Sequence, residues 1–288
     1  MDDHFTVLDA YYYGIKYLEN PNQEVEIRLI INKINGYKDM SSFYLCKDKP
    51  LKDVVLFKKY IRKYRQGMPV SHILGETYFD GLRFKVNKYV LSPRMETEEV
   101  VKKAAEVASN YFNNALTYNV YDVCTGTGCI GISLCQHLPV TRLVLSDYYE
   151  KVLEVTRENV KINKAVVPGN GKTIIKKQDS LEKTHFFPDE RNLIIIANPP
   201  YIINEKVSEE TKKYDPDYAL YTSEDLDVYK KILFKANSID REKLLVVFEI
   251  SDEIKPLLDK MIEIYFSYYK KNYYKDINGQ YRILVLEK

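Results

Sequence analysis

The run Asp122-Val123-Cys124-Thr125-Gly126-Thr127-Gly128-Cys129-Ile130-Gly131 sets three glycines at G-x-G-x-x-G spacing, after an apolar stretch and ahead of a helical pattern. Small residues let a backbone turn sharply and come close to a ligand, and the helix start beyond them offers unsatisfied N–H groups. Asp147 follows Gly126 by 21 positions, at the end of the next apolar run. A carboxylate there can accept hydrogen bonds from ribose hydroxyls. Strand, turn, helix and acid in this register point to a nucleoside-bearing cofactor, without saying which one.

The second stretch is Asn198-Pro199-Pro200-Tyr201, which follows the apolar Leu193–Ala197. Prolines commonly end strands, so a purely structural reading exists. The chemistry of the segment favours another. A planar NH2 group needs two acceptors, and the Asn198 side-chain oxygen and Pro199 carbonyl supply them on backbone stiffened by two fixed φ angles. Tyr201 can lie against the flat group. Such a clamp would aim a nitrogen at an electrophile, and transfer from an already activated sulfonium requires little beyond positioning.

The elements that carry these residues can be read from periodicity. Strands are expected at Val120–Cys124, Arg142–Ser146, Lys172–Lys177, Leu193–Ala197, Leu244–Ile250 and Tyr281–Leu286. Helices are expected at Cys129–His137, Glu150–Asn163, Asp225–Asn237 and Asp252–Phe266. Continuous apolar strands joined by helical crossovers predict a doubly wound α/β fold with a parallel sheet covered on both faces. In such a sheet, ligands bind at the carboxyl ends of the strands, where the glycine turn and Asn198 both fall. Residues 1–70 read as a small helical domain, with apolar positions at helical spacing around Leu8–Leu18, Val25–Ile34 and Leu51–Tyr64. Residues 71–92 form a linker holding a β-hairpin, in which Asp80-Gly81 separates two short alternating runs. Residues 93–288 then form the cofactor-binding domain.

Composition narrows the alternatives. A net charge of +2 supplies no global field toward nucleic acid or membrane. The longest apolar runs are far short of the roughly 20 residues of a bilayer span. No leader-like start is visible, and Cys46, Cys124, Cys129 and Cys135 include no C-x-x-C pair, which suggests reduced thiols in a cytoplasm and no metal site. His4, His72, His137 and His185 lack ligand or nucleophile spacing. Between Lys47 and Arg65 stand eight basic residues against only Asp48 and Asp53, which we read as a solvated helix face in preference to a dedicated site for a polyanion or acidic partner.

From about Gly75 onward the chain resembles the release-factor glutamine N5-methyltransferases, the HemK/PrmC family. The resemblance rests on Gly75–Phe84, Leu91-Ser92-Pro93-Arg94-Met95-Glu96-Thr97-Glu98, the glycine turn and Asn198–Tyr201. It continues through Asp217-Tyr218-Ala219-Leu220, Phe248-Glu249-Ile250 and Lys275–Arg282. It implies a Rossmann-like, seven-strand class I methyltransferase sheet, with S-adenosylmethionine as cofactor and no metal. It also implies methylation of the glutamine in a release factor's Gly-Gly-Gln motif. By the resemblance, Cys124, Thr125, Gly126, Thr127 and Gly128 approach the methionine part and Asp147 the ribose, while Asp179 and Ser180 flank the adenine. Asn198, Pro199, Pro200 and Tyr201 hold the glutamine, with Asn198 also beside the cofactor. Cys124 stands where many relatives have Gly, and Met95 where many have Pro. For Arg94, Glu96 and Glu98 two readings stay open, complementing a helix dipole or closing the cofactor pocket.

The implied protein is a cytoplasmic monomer that acts on a protein, with no direct nucleic-acid substrate and no membrane partner. The nearest rival is an adenine N6-methyltransferase on DNA or RNA, which shares the Asn-Pro-Pro-Tyr tetrapeptide but would usually want a broad basic groove. An NAD-dependent oxidoreductase and a non-catalytic cofactor-binding adaptor are the remaining readings.

Overall fold

A computed structural model describes residues 5–19, 23–37, 41–180, 191–203, 213–240 and 243–288. His4 and His185 lie outside them. The chain divides into two units, Met1–Glu76 and Thr77–Lys288.

The described residues of the first unit form the α-helices α1 (Val7–Leu18), α2 (Glu24–Asn35), α3 (Ser41–Leu45), α4 (Val54–Arg65) and α5 (Val70–Leu74). Helix α1 starts in a capping box, where Asp9 N–H donates to Thr6 Oγ1 and the Asp9 carboxylate accepts from Thr6 N–H. Val7, Ala10, Ile27, Ile30, Ile31, Phe57 and Ile61 meet with no exposure and form this unit's core. The basic face of α4 is partly engaged within the unit. The Lys58 ammonium lies over the Phe5 and Tyr13 rings, and Arg65 over Tyr17.

The second unit is built on one seven-stranded sheet. Strand β1 (Glu76–Phe79) pairs only with β2 (Leu82–Lys85), as the hairpin expected around Asp80-Gly81. Helix α6 (Met95–Tyr111) follows. Then β3 (Tyr118–Val123), α7 (Cys129–His137), β4 (Val140–Asp147), α8 (Glu150–Ile162) and β5 (Thr173–Lys177) alternate. The remainder is β6 (Leu193–Ala197), α9 (Asp227–Asn237), β7 (Leu244–Glu249), α10 (Lys255–Tyr265), β8 (Lys270–Lys275) and β9 (Tyr281–Glu287). The spatial order is β5-β4-β3-β6-β7-β9-β8.

Alternation along each central strand distributes side chains to two cores. Ile194, Ile196, Leu245 and Val247 face α6 and α7, whereas Ile195, Ala197, Val246 and Phe248 face α9 and α10. Burying each such aliphatic side chain contributes about 1.5–3 kcal/mol. The layers therefore hold the strand ends rigidly.

The sheet is the expected seven-stranded one, parallel except at one edge. Strands β5 to β7 run parallel, but β9 is antiparallel to both β7 and β8. The reason is local. No helix separates β8 from β9; a tight turn does, with Gly279 N–H donating to Asp276 O over 2.9 Å and Gly279 at φ 79°. A short turn can join only antiparallel neighbours.

Candidate active site

At the carboxyl ends of β3, β4 and β6, a cleft of about 1120 Å³, counted out to its mouth, opens in the second unit. The turn Cys124–Gly128 forms its floor, and the lock beneath that turn is Asp122. Its Oδ2 accepts from the Thr125 hydroxyl at 2.7 Å and from Gly131 N–H at 2.9 Å, which ties turn and helix start to one buried carboxyl. Burial raises this carboxyl to about 7 against the pull of those two donors. Gly131 must be a glycine, because a Cβ there would stand 2.7 Å from Leu145 and 2.9 Å from Asp122. Gly126 differs. A Cβ built on it meets nothing within 4 Å, so the turn leaves room against this wall of the cleft.

Asp147 stands across the turn. Its Oδ2 accepts from Gly126 N–H at 3.2 Å and its Oδ1 from Tyr149 N–H at 3.2 Å, leaving lone pairs on both oxygens for hydroxyl donors. Burial raises its carboxyl above the ordinary range, with the backbone bonds opposing. Beyond it, Asp179 and Ser180 line the cleft, and Lys231 on α9 pairs with Asp179 at 2.8 Å. A carboxylate with free lone pairs at a strand end, a turn of small residues opposite it and the Asp179–Ser180 polar edge are a donor and acceptor set that fits a nucleoside-bearing sulfonium cofactor.

The expected residues divide into those that line the cleft and those that do not. Cys124, Thr125, Gly126, Thr127, Asp147, Asp179, Ser180, Asn198, Pro200 and Arg94 line it. Gly128 instead caps α7 at φ 84°, beneath the wall. Pro199 is buried, and Tyr201 packs against the α9 and α10 core, where burial raises its phenol. Arg94 is the N-cap of α6 and reaches Asp215 at 3.4 Å. Glu96 sits in the first turn of α6. Glu98 turns to the hairpin, where its Oε1 accepts from Asp80 N–H at 2.8 Å. Cys124 holds a left-handed backbone at φ 58°, a conformation that glycine adopts without steric cost, and burial pushes its thiol well up.

Several lining residues were not assigned roles from sequence. Tyr218 donates its hydroxyl to Tyr89 O at 2.5 Å and packs against Tyr149, with ring centroids 4.0 Å apart and planes tilted by 34°. Together with Tyr148 they make an aromatic wall beside Asp147. Asp217-Tyr218-Ala219-Leu220 was visible as a motif, but no periodicity shows that it folds back onto the cleft. Among the described residues, no group of three or more His, Cys, Asp or Glu is placed to hold a metal ion. No helix among them is long and apolar enough to cross a membrane.

Comparison with known proteins bears on the family and the fold. Residues 93–213 match the family model for the methyltransferase small domain. The solved hMettl16 catalytic domain, in complex with MAT2A 3'UTR hairpin 6, superposes with a TM-score of 0.52 at 12% identity. That match covers 72% of this chain and 75% of that one, and it shows a shared fold. The release factor glutamine methyltransferase of Chlorobaculum tepidum is 31% identical over 83% of this chain and 81% of its own length. That of Borreliella burgdorferi is 30% identical over 94% of this chain and 92% of its own. On identity sustained across nearly the full length, the chain belongs to the release factor glutamine methyltransferase family.

Proposed function

We propose that the protein transfers a methyl group from S-adenosylmethionine to the side-chain amide nitrogen of the glutamine in the Gly-Gly-Gln motif of a peptide chain release factor. The observation that supports this most is that Asn198, at the carboxyl end of β6, lines the same cleft as the glycine turn and Asp147. When bound, the cofactor supplies an electrophilic methyl group on a positive sulfur. The chain's own residues do the rest. Asp147 would accept from the ribose hydroxyls, the Thr125–Thr127 backbone would approach the methionine part with Gly128 capping α7 beneath it, and Asp179 and Ser180 would flank the adenine.

An amide nitrogen is a weak nucleophile because its lone pair is shared with the carbonyl. Asn198 Oδ1 and the Pro199 carbonyl accept its two hydrogens, polarise the N–H bonds and hold the nitrogen toward the methyl group. Pro200 stiffens the segment, and Tyr201 supports the flat amide. Arg94 closes the cleft from the α6 side. Acting on a protein, as a monomer of the cytoplasm without a nucleic-acid or membrane partner, the enzyme uses its first unit to hold the substrate's bulk. Mass spectrometry of a release factor, after incubation with enzyme and cofactor, tests the reading. One added methyl on the Gly-Gly-Gln glutamine is expected; label entering nucleic acid instead would reject it.

A further inference from the structure

Glu249 ends β7 and is buried, with 1% exposure. Phe248 pairs with Ala197 across parallel strands, so Glu249 lies level with Asn198 on the neighbouring strand, roughly 5 Å away along the hydrogen-bonding direction. The alternation that turns Ile196 and Val247 toward α6 and α7, carried two residues further, turns Asn198 and Glu249 to that same face. There the Thr97 hydroxyl of α6 hydrogen-bonds the Glu249 carboxyl, and Thr97 lines the cleft. The other carboxyl oxygen, Oε2, has no hydrogen-bond partner among the described residues.

Charged and titratable neighbours come from every packed element. Arg94 and Glu96 face it from α6, Arg282 from β9, Tyr201 from beyond β6, Tyr229 from α9 and Cys129 from α7. Arg282 is itself held by Asp276 at 3.1 Å. Despite two guanidiniums, burial raises the carboxyl to about 7. A buried carboxyl with an unsatisfied oxygen costs stability, and such a group beside a cleft is a candidate for function.

We propose that Glu249, acting through the Thr97 hydroxyl, takes up the proton that the amide nitrogen sheds on methylation. The step rests on the amide-methylation reading above. The carbon–nitrogen bond forms as the sulfur–carbon bond breaks, with that electron pair leaving on sulfur. As the nitrogen becomes tetrahedral, one of the two hydrogens held by Asn198 Oδ1 and the Pro199 carbonyl turns away from its acceptor. Its N–H bond breaks with the pair staying on nitrogen, and the proton passes to Thr97 Oγ1 while the Thr97 hydroxyl proton passes to Glu249. The positive charge that entered with the cofactor is thereby cancelled on the carboxylate, leaving a neutral methylamide and a neutral carboxylic acid. Glu249 is a positioning and relay group and does not touch substrate.

The test uses full-length enzyme with a whole release factor, both substrates saturating, so that pH effects on affinity drop out of kcat and the comparison with Glu249→Gln separates Glu249 from Asp122, which is also raised to about 7. Wild-type kcat should rise with pH through about 7 and then level. Glu249→Gln should lower the plateau by about 10²-fold and abolish the rise, with S-adenosylhomocysteine affinity within about three-fold of wild type. Thr97→Val should do the same, and Glu249→Asp should recover part of the loss. If Glu249→Gln does not fold, shown by lost cofactor-product binding, Thr97→Val alone decides. Either variant binding S-adenosylhomocysteine normally, yet keeping wild-type kcat and the same pH rise, would overturn the relay. Failure of the wild-type enzyme to methylate the glutamine would instead reject the underlying reading.

Discussion

Replacing Gly131 by Ala tests how the cofactor turn is held. The new Cβ would stand 2.7 Å from Leu145 Cδ2 and 2.9 Å from both Cβ and Oδ2 of Asp122, where ordinary contact begins at 3.4 Å. Leu145 is packed on the α6 and α7 face, and Asp122 is fixed by Thr125, so neither neighbour yields freely. Helix α7 must instead move outward by about 0.5–0.7 Å, which stretches the 2.9 Å bond from Gly131 N–H to Asp122 beyond useful range. Overpacking costs about 1–3 kcal/mol and the weakened buried bond about 1 more. At roughly 2–4 °C per kcal/mol for a unit of this size, Tm should fall by about 4–16 °C. The turn rides on the same carboxyl, so S-adenosylhomocysteine affinity should drop by about ten-fold or more, read by calorimetry beside thermal unfolding. Gly169→Ala is the control, because a Cβ there meets nothing within 4 Å and the glycine holds no positive φ. A Gly131→Ala protein with Tm within about 1 °C and affinity within about two-fold of wild type would refute the reasoning.

Other perturbations separate the remaining roles. Asn198→Ala should lose most of kcat while cofactor-product affinity stays within a few-fold; near-normal turnover would reject the amide clamp. Cys124→Gly relieves a side chain at φ 58° and should raise stability by about 1 kcal/mol without weakening cofactor binding, measured by denaturant titration. Burial raises Asp122 and Glu249 to about 7 from ordinary values of 3.8 and 4.5. Between those limits the unfolded chain has released protons that the folded chain keeps, so stability is fullest near pH 4 and falls as pH rises to about 7. The ceiling is roughly 3–4 kcal/mol per group, and Asp122→Asn with Glu249→Gln should flatten the Tm profile between about pH 5 and 8. Deleting residues 1–70 should raise KM for a whole release factor far more than for a short Gly-Gly-Gln peptide; equal effects would remove the substrate-holding role of the first unit.

Much of the scaffold was legible because its strands are buried on both faces and its helices on one. Leu193–Ala197 and Cys129–His137 were read with the limits the structure shows, since a five-residue aliphatic run and a glycine-started helix admit few alternatives. Strand β8 escaped notice. Lys270–Lys275 is a half-exposed edge strand of Lys, Asn and Tyr, and its pairing with β9 supplies an order that its own pattern lacks. The direction of β9 is likewise not written in its own pattern, because periodicity reports burial and carries no strand direction.

The residue types for cofactor and amide chemistry are local properties of the chain. A glycine turn after a strand, an acid at the next strand end and an Asn-Pro-Pro-Tyr segment state their chemistry wherever the fold puts them. What tertiary structure alone decided is which distant residues become their neighbours. Thr97, Glu249 and Arg282 lie in three separate segments of the chain that carry the family resemblance, but nothing in those segments says that they meet. They meet because β7 and β9 lie side by side with α6 laid across them, and in that water-poor junction a common glutamate becomes a carboxyl that titrates at about 7. Desolvation of that kind belongs to packing, and no spacing of letters along the chain records it.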